Sequence, residues 1–196
     1  MTESASSERK RSTQRAISAS ARDLALEHGL DGFTMDDLAT SVGVSRRTLF
    51  NYVPGKIDAV LGVAEDPDPE LIATFMAGGP TGHLFTDLKE LVVVALDEEG
   101  TSASEIDAVR RLVLSDPRLY HAMQDRLTSS MDEFAEFINQ REGSEVDGLT
   151  VALLFKLTVS VLHVALDESL ADADHPFTWH YSRVFDAAIA AVERPA

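Results

Sequence analysis

A short cluster of polar side chains carries the most specific chemistry in this sequence. Arg46, Arg47, Thr48 and Asn51 follow directly on Gly43-Val44-Ser45. An arginine guanidinium is a planar fork of donors that matches the O6 and N7 acceptors of guanine. An asparagine amide reads adenine in a comparable way or bonds a phosphate. Ser45, Tyr52 and Lys56 offer hydroxyl and ammonium groups suited to phosphate oxygens. A helix starting at Thr34 would turn its positive end to the same surface. Such a set reads double-stranded DNA, provided one rigid surface holds it. For each arginine alone, a solvated surface residue is the rival reading, and for Tyr52 it is packing under a neighbouring helix.

Other chemistries fail on missing residues. The chain has no cysteine, which excludes disulfides, cysteine zinc sites and thiol catalysis. It has no Gly-x-Gly-x-x-Gly, no His-Glu-x-x-His and no Gly-x-Ser-x-Gly. Gly55-Lys56 lacks the upstream glycine and following hydroxyl of a phosphate loop. An enzyme is therefore not expected, and no cofactor. Asp172, Asp174, His175 and His180 are metal-ligating types. Their spacing reads as an exposed, polar inter-helix loop, so no metal is expected.

The 196 residues carry 33 acidic and 17 basic side chains, a net charge of −16. The excess is uneven: residues 1–56 hold eight basic and seven acidic side chains, and the rest holds nine and 26. Cations gathered on one part of an acidic chain allow nucleic-acid contact there, with a plain solubilising acidic surface as the rival reading. Hydrophobic residues make up 44%, enough for a core. The longest unbroken apolar runs, Leu91–Leu96 and Ala187–Val192, are far shorter than a membrane span of about 18 residues. The first seven residues are polar. A cytoplasmic protein without a membrane partner is expected.

Apolar residues recur at three- and four-residue steps, so the pattern predicts nine or ten helices and no strand. The first helix runs from about Thr13 to His28 with Ile17, Ala21, Leu24 and Ala25 as its inward stripe. Residues 1–11 read as a flexible basic tail. Thr34-Met35-Asp36-Asp37 is a capping box opening a second helix to Val42, and Ser45 caps a third. Two short helices joined by a three-residue turn containing Gly43 form a helix-turn-helix pattern. Helices at 56–64, 70–77, 83–97, 104–114, 117–140, 147–170 and 178–193 follow. The helix at 147–170 is apolar on nearly every side, with Lys156, Ser160, His163 and Asp167 as one narrow polar stripe. It is either buried centrally in a single domain or shared with a second subunit. In the second case Leu162, Leu166, Phe185, Ile189 and Val192, on the last two helices, are the expected dimer interface.

The stretch Thr34–Ala39, Gly43-Val44-Ser45 and Thr48-Leu49-Phe50-Asn51-Tyr52-Val53-Pro54-Gly55-Lys56 resembles the N-terminal domain of TetR-type transcriptional regulators. The match covers about residues 13–60; beyond it only the helix pattern is similar. Phe50 stands where the family often has Tyr, Tyr52 where it has His, and Val53 where it has Phe. The resemblance implies an all-α fold, with a three-helix helix-turn-helix domain at 12–60. A larger ligand-sensing and dimerisation bundle would occupy 61–196. It implies a homodimer on a palindromic operator, acting as a repressor and released by a small-molecule effector. The implied DNA-contacting residues are Thr34, Ser45, Arg46, Arg47, Thr48, Phe50, Asn51, Tyr52 and Lys56. Phe85, Leu88, Met123, Met131, Phe155, Val159 and His163, on the central helices, are candidates for a largely apolar effector pocket, with plain core packing as the rival for each. The alternative function is a dimeric helical ligand-binding or protein-interaction module without DNA binding.

Overall fold

The fold follows from a chain rich in helix formers with glycine and proline confined to junctions. In the computed structural model the described residues are 2–63, 68–98, 102–172 and 174–192, with side chains described from Arg9 onward except at 98 and 192. Ten helices and no strand occur among them: α1 Thr2–His28, α2 Met35–Val42, α3 Arg46–Phe50, α4 Lys56–Leu61, α5 Pro69–Met76, α6 Leu84–Glu98, α7 Ala103–Ser115, α8 Pro117–Glu142, α9 Gly148–Ala171 and α10 Phe177–Val192. The first eleven residues, expected as a flexible tail, instead continue α1 back to Thr2. No proline or glycine lies between Thr2 and His28 to stop the helix. Asp66-Pro67, half of the expected break between α4 and α5, lies outside the described residues. Asp68 caps α5 through the Glu70 and Leu71 amides, with Pro69 in the first turn.

The chain divides into two compact units, Met1–Asp66 with Asp107–Arg126, and Pro67–Ile106 with Leu127–Ala196. The first unit therefore includes a segment outside the expected domain at 12–60. Its core joins Ile17, Ala21 and Ala25 of α1 to Leu38 and Ala39 of α2, Leu49 of α3 and Val60 of α4. Leu112 and Leu119 complete it. Arg126 donates to the Gly62 carbonyl and pairs with Asp58 at 3.0 Å, which ties the C-terminal end of α4 to α8. Arg22 donates to the Val60 carbonyl from α1.

The second unit has two apolar clusters. In one, Val161, Ala165 and Leu166 of α9 pack on Phe177, Tyr181 and Phe185 of α10, and Phe85 of α6 lies 4.4 Å from Phe185, ring to ring. In the other, Phe75, Leu88, Ile138 and Val151 meet, with Phe75 stacked on Phe137. A buried ion pair sits beside this second cluster. Arg141 pairs with Asp87, donates to the Phe75 carbonyl and lies 4.7 Å above the Phe75 ring. Burial alone would push the Asp87 carboxyl up. The Thr81 N–H and hydroxyl, at 2.7 and 2.6 Å, together with Arg141 outweigh that and hold it below the ordinary carboxylate range.

Helix α9 is apolar beyond what this unit covers. Leu149 is 69% exposed and Leu153 52%, and Leu157 and Val164 are also exposed. These four recur along the same face as Lys156, Ser160, His163 and Asp167, all of them exposed. By length and composition α9 is long and apolar enough to cross a bilayer, with mean hydropathy 2.0, although its longest unbroken apolar runs are short. The interspersed Ser, Thr and His residues break those runs without making the helix polar.

Candidate nucleic-acid interface

The turn between α2 and α3 is built from local bonds. The Thr34 hydroxyl accepts from the Asp37 amide while the Asp37 carboxylate accepts from the Thr34 amide and hydroxyl, the expected capping box. These bonds from Thr34 hold the Asp37 carboxyl below its ordinary range. α2 ends at Gly43, whose φ of 74° is left-handed; the following Val44 amide bonds back to Ala39 at 3.0 Å. Ser45 then caps α3, its Oγ accepting from the Thr48 amide at 3.1 Å. Leu38, Ala39, Leu49 and Val53 are buried around this corner, and the small Ala39 lets α3 approach closely. Helix α3 is shorter than expected. The Asn51 and Tyr52 amides reach back to Thr48 and Leu49, which tightens the last turn before Pro54 removes a donor.

With Leu49 pinned inward, the other side of α3 is outward. Arg46, Arg47, Phe50 and Asn51 are exposed, and Thr34 and Ser45 lie exposed at the starts of the two helices. Thr48 and Tyr52 are half-buried; the Thr48 hydroxyl is 2.8 Å from Ser45 Oγ, and Tyr52 packs against the core. The two arginines differ. Arg46 pairs with Asp36 of α2 at 2.7 Å and lies 5.5 Å above the Phe50 ring. Arg47 is exposed with no ion pair among the described residues. An exposed pair like Arg46–Asp36 is worth only about 0–1 kcal/mol, so a stronger anion displaces Asp36 readily.

Lys56 corrects the sequence expectation. Its ammonium is not offered to a phosphate: it donates to the carbonyls of Leu30 and Phe33 at 2.8 and 2.6 Å and sits 4.9 Å above the Phe33 ring. It closes the turn between α1 and α2, because those carbonyls have no helix to bond them. Lys56→Met should destabilise the protein by about 1–3 kcal/mol through the two unsatisfied carbonyls, as a lower midpoint in urea denaturation. A role confined to DNA contact would leave the midpoint unchanged. Asp36, the partner of Arg46, was left unassigned by the sequence; the acidic first turn of α2 was its only hint.

Other expected site residues scatter. Met123 packs against the core of the first unit, whereas Leu88 is fully buried in the second and Phe85 packs at a tilt against Phe185. Phe155 meets Phe134 edge-on, Met131 and Val159 are half-buried, and His163 is exposed. None of these seven lines the open cleft of about 540 Å³ whose walls include Leu96, Ala103, Leu170, Phe177 and Thr178. Of the expected dimer residues, Leu166 and Phe185 are completely buried in their own chain's core, and Leu162 and Ile189 pack against it. Burial corrects the expectation for Leu166 and Phe185, which the Phe85 ring and the α10 aromatics already cover, while Leu162 and Ile189 stay half-buried. The Val192 side chain lies outside the described residues.

An outward α3 with two arginines, pinned by a capped and glycine-terminated α2, defines a helix-turn-helix protein. Residues 17–58 match the family model of the bacterial regulatory proteins of the tetR family. Uncharacterized HTH-type transcriptional regulators of Mycobacterium tuberculosis and Mycobacterium bovis are 30% identical over 115 residues, 59% of this chain and 55% of theirs. The chain thus spans about half the length of the curated relatives it matches. A solved structure described as a TetR-family transcriptional regulator, from Mesorhizobium loti, shares the fold with a TM-score of 0.50 and 16% identity, over 94% of this chain and 98% of that one. Residues 17–58 are thus similar to the helix-turn-helix segment of the tetR family.

Proposed function

We propose that this protein is a DNA-binding transcriptional regulator, a repressor that binds a palindromic operator as a homodimer and leaves it when a small molecule binds the second unit. The observation that carries the reading is the exposed Arg46, Arg47 and Asn51 set on the outward side of a rigidly capped α3. Such a helix enters the major groove, where two arginine forks match guanine. Phe50, 43% exposed, adds an apolar contact suited to a thymine methyl. Two copies would have to place their α3 helices about 34–36 Å apart, one turn of duplex. A ligand that favours another spacing empties the operator by population shift, and about 1.4 kcal/mol of preference changes occupancy tenfold.

The test is selection of bound duplexes from genomic fragments, followed by titration of the selected duplex against salt. Affinity should fall on a log–log plot with a slope of about −0.9 for each phosphate neutralised. A flat response, or no enriched sequence, would leave a helical ligand-binding or interaction module without DNA binding. For the dimer, the face of α9 bearing Leu153 and Leu157 is the surface to join, since both are exposed. Leu157→Asp should then yield a monomer in sedimentation at micromolar concentration while helicity is retained; an unchanged assembly would assign the contact elsewhere. The effector's place is the cleft beside Leu170 and Phe177, whose walls are largely apolar.

A further inference from the structure

The loop between α9 and α10 departs from a plain exposed connection. Asp174 and His175 are exposed as its polarity suggests, but His180 is completely buried. Neither ring nitrogen of His180 has a hydrogen-bond partner. A buried imidazole without a partner is costly, since each polar atom loses its water and gains nothing. One of its nitrogens faces two other donors: a ligating atom from each of Asp172, His175 and His180 lies within 4.8 Å of the other two. His175 Nδ1 is 3.3 Å from the Asp172 carboxylate, long for a hydrogen bond. Ligands on a tetrahedral ion at about 2.0–2.2 Å stand roughly 3.4 Å apart, so that edge is already in place. From at most 4.8 Å, His180 has to close by up to about 1.4 Å relative to it, a distance that a rotation of the exposed His175 side chain covers. The His175 ring is held by stacking on Trp179 at 4.0 Å.

We propose that Asp172, His175 and His180 bind a divalent transition-metal ion, of the zinc, cobalt or nickel class. Two imidazoles and one carboxylate suit these ions and not magnesium or calcium, which take all-oxygen sets. Three protein ligands leave a coordination position open, and His175 also lines the 540 Å³ cleft, so that position is accessible from it. The metal would join the end of α9 at Asp172 to buried His180 on α10. It gives His180 the partner it lacks. The site lies wholly within the second unit and stands whether or not the first unit binds DNA.

The experiment uses the untagged full chain after treatment with a chelator. Zinc titration by calorimetry should give one ion per chain, and cobalt should produce the visible absorption of a four-coordinate nitrogen–oxygen site. His175→Ala and Asp172→Asn, both at residues that are not buried, should each weaken zinc binding by more than about 100-fold, because even outer-shell changes cost about 10–100-fold. His83→Ala, at an exposed histidine elsewhere, should leave binding unchanged. Circular dichroism checks that the variants fold. Equal zinc affinity in wild type and His175→Ala would overturn the proposal, as would magnesium displacing zinc at comparable concentration.

Discussion

Arg47→Ala should weaken binding to the selected operator by about 1–3 kcal/mol for each half-site, which is the worth of one bidentate arginine contact. In a symmetric dimer the two half-sites are well separated, so the losses add to about 2–6 kcal/mol. The fold should not notice, since Arg47 is exposed and makes no ion pair among the described residues. Arg46→Ala should cost less than Arg47→Ala, because Arg46 must first give up Asp36. The two variants therefore rank the arginines. Gel-shift titration on the selected duplex and on a scrambled one provides the measurement. Equal affinity of wild type and Arg47→Ala on the selected duplex would remove α3 as the reading element.

Arg141→Ala should destabilise the protein by about 3–5 kcal/mol, the cost of leaving one charge of a buried pair without its partner. The environment sets the size of the effect. Asp87 is 1% exposed, and the Arg141 side chain 4%. Removing the guanidinium also releases the Phe75 carbonyl and the contact over the Phe75 ring. Asp87→Asn should cost less, because the amide oxygen still accepts from Thr81. The sign of the pH dependence follows from the lowered Asp87 carboxyl. The unfolded chain takes up that proton at about pH 4, and the folded one only below it. The pair's contribution is therefore complete at neutral pH and disappears as the pH falls below about 4. In Arg141→Ala the denaturation midpoint should vary less with pH over that range. A midpoint within about 0.5 kcal/mol of wild type at pH 7 would mean that the pair is solvated in solution.

The helix-turn-helix was legible because its signals are local. Thr34 and Asp37 are three residues apart, Gly43 is the left-handed stop, and Ser45 is the cap that follows it. Each acts through bonds within four residues, so spacing alone specifies them. The roles of Arg46 and Lys56 were not legible. Asp36 reaches Arg46 across ten positions, and Lys56 reaches Leu30 across 26, and neither distance has a sequence signature. The faces of α9 were not legible for a related reason. A helix apolar all round gives no periodic cue to which side meets its own core. Only the aromatic side chains of α10 and α6 settle that Leu166 turns inward while Leu153 and Leu157 stay outside.

Sequence alone determined the helical class, the capped turn and the exposed pair of arginines, because propensity, caps and charge act over short range. The tertiary structure decided which cation stays exposed and which one closes a turn, and which face of α9 remains uncovered. It also decided that His180, on α10, is buried beside Asp172 and His175 of the preceding loop. Those outcomes depend on contacts between residues far apart in the chain, where burial removes water and partners must be found across the fold.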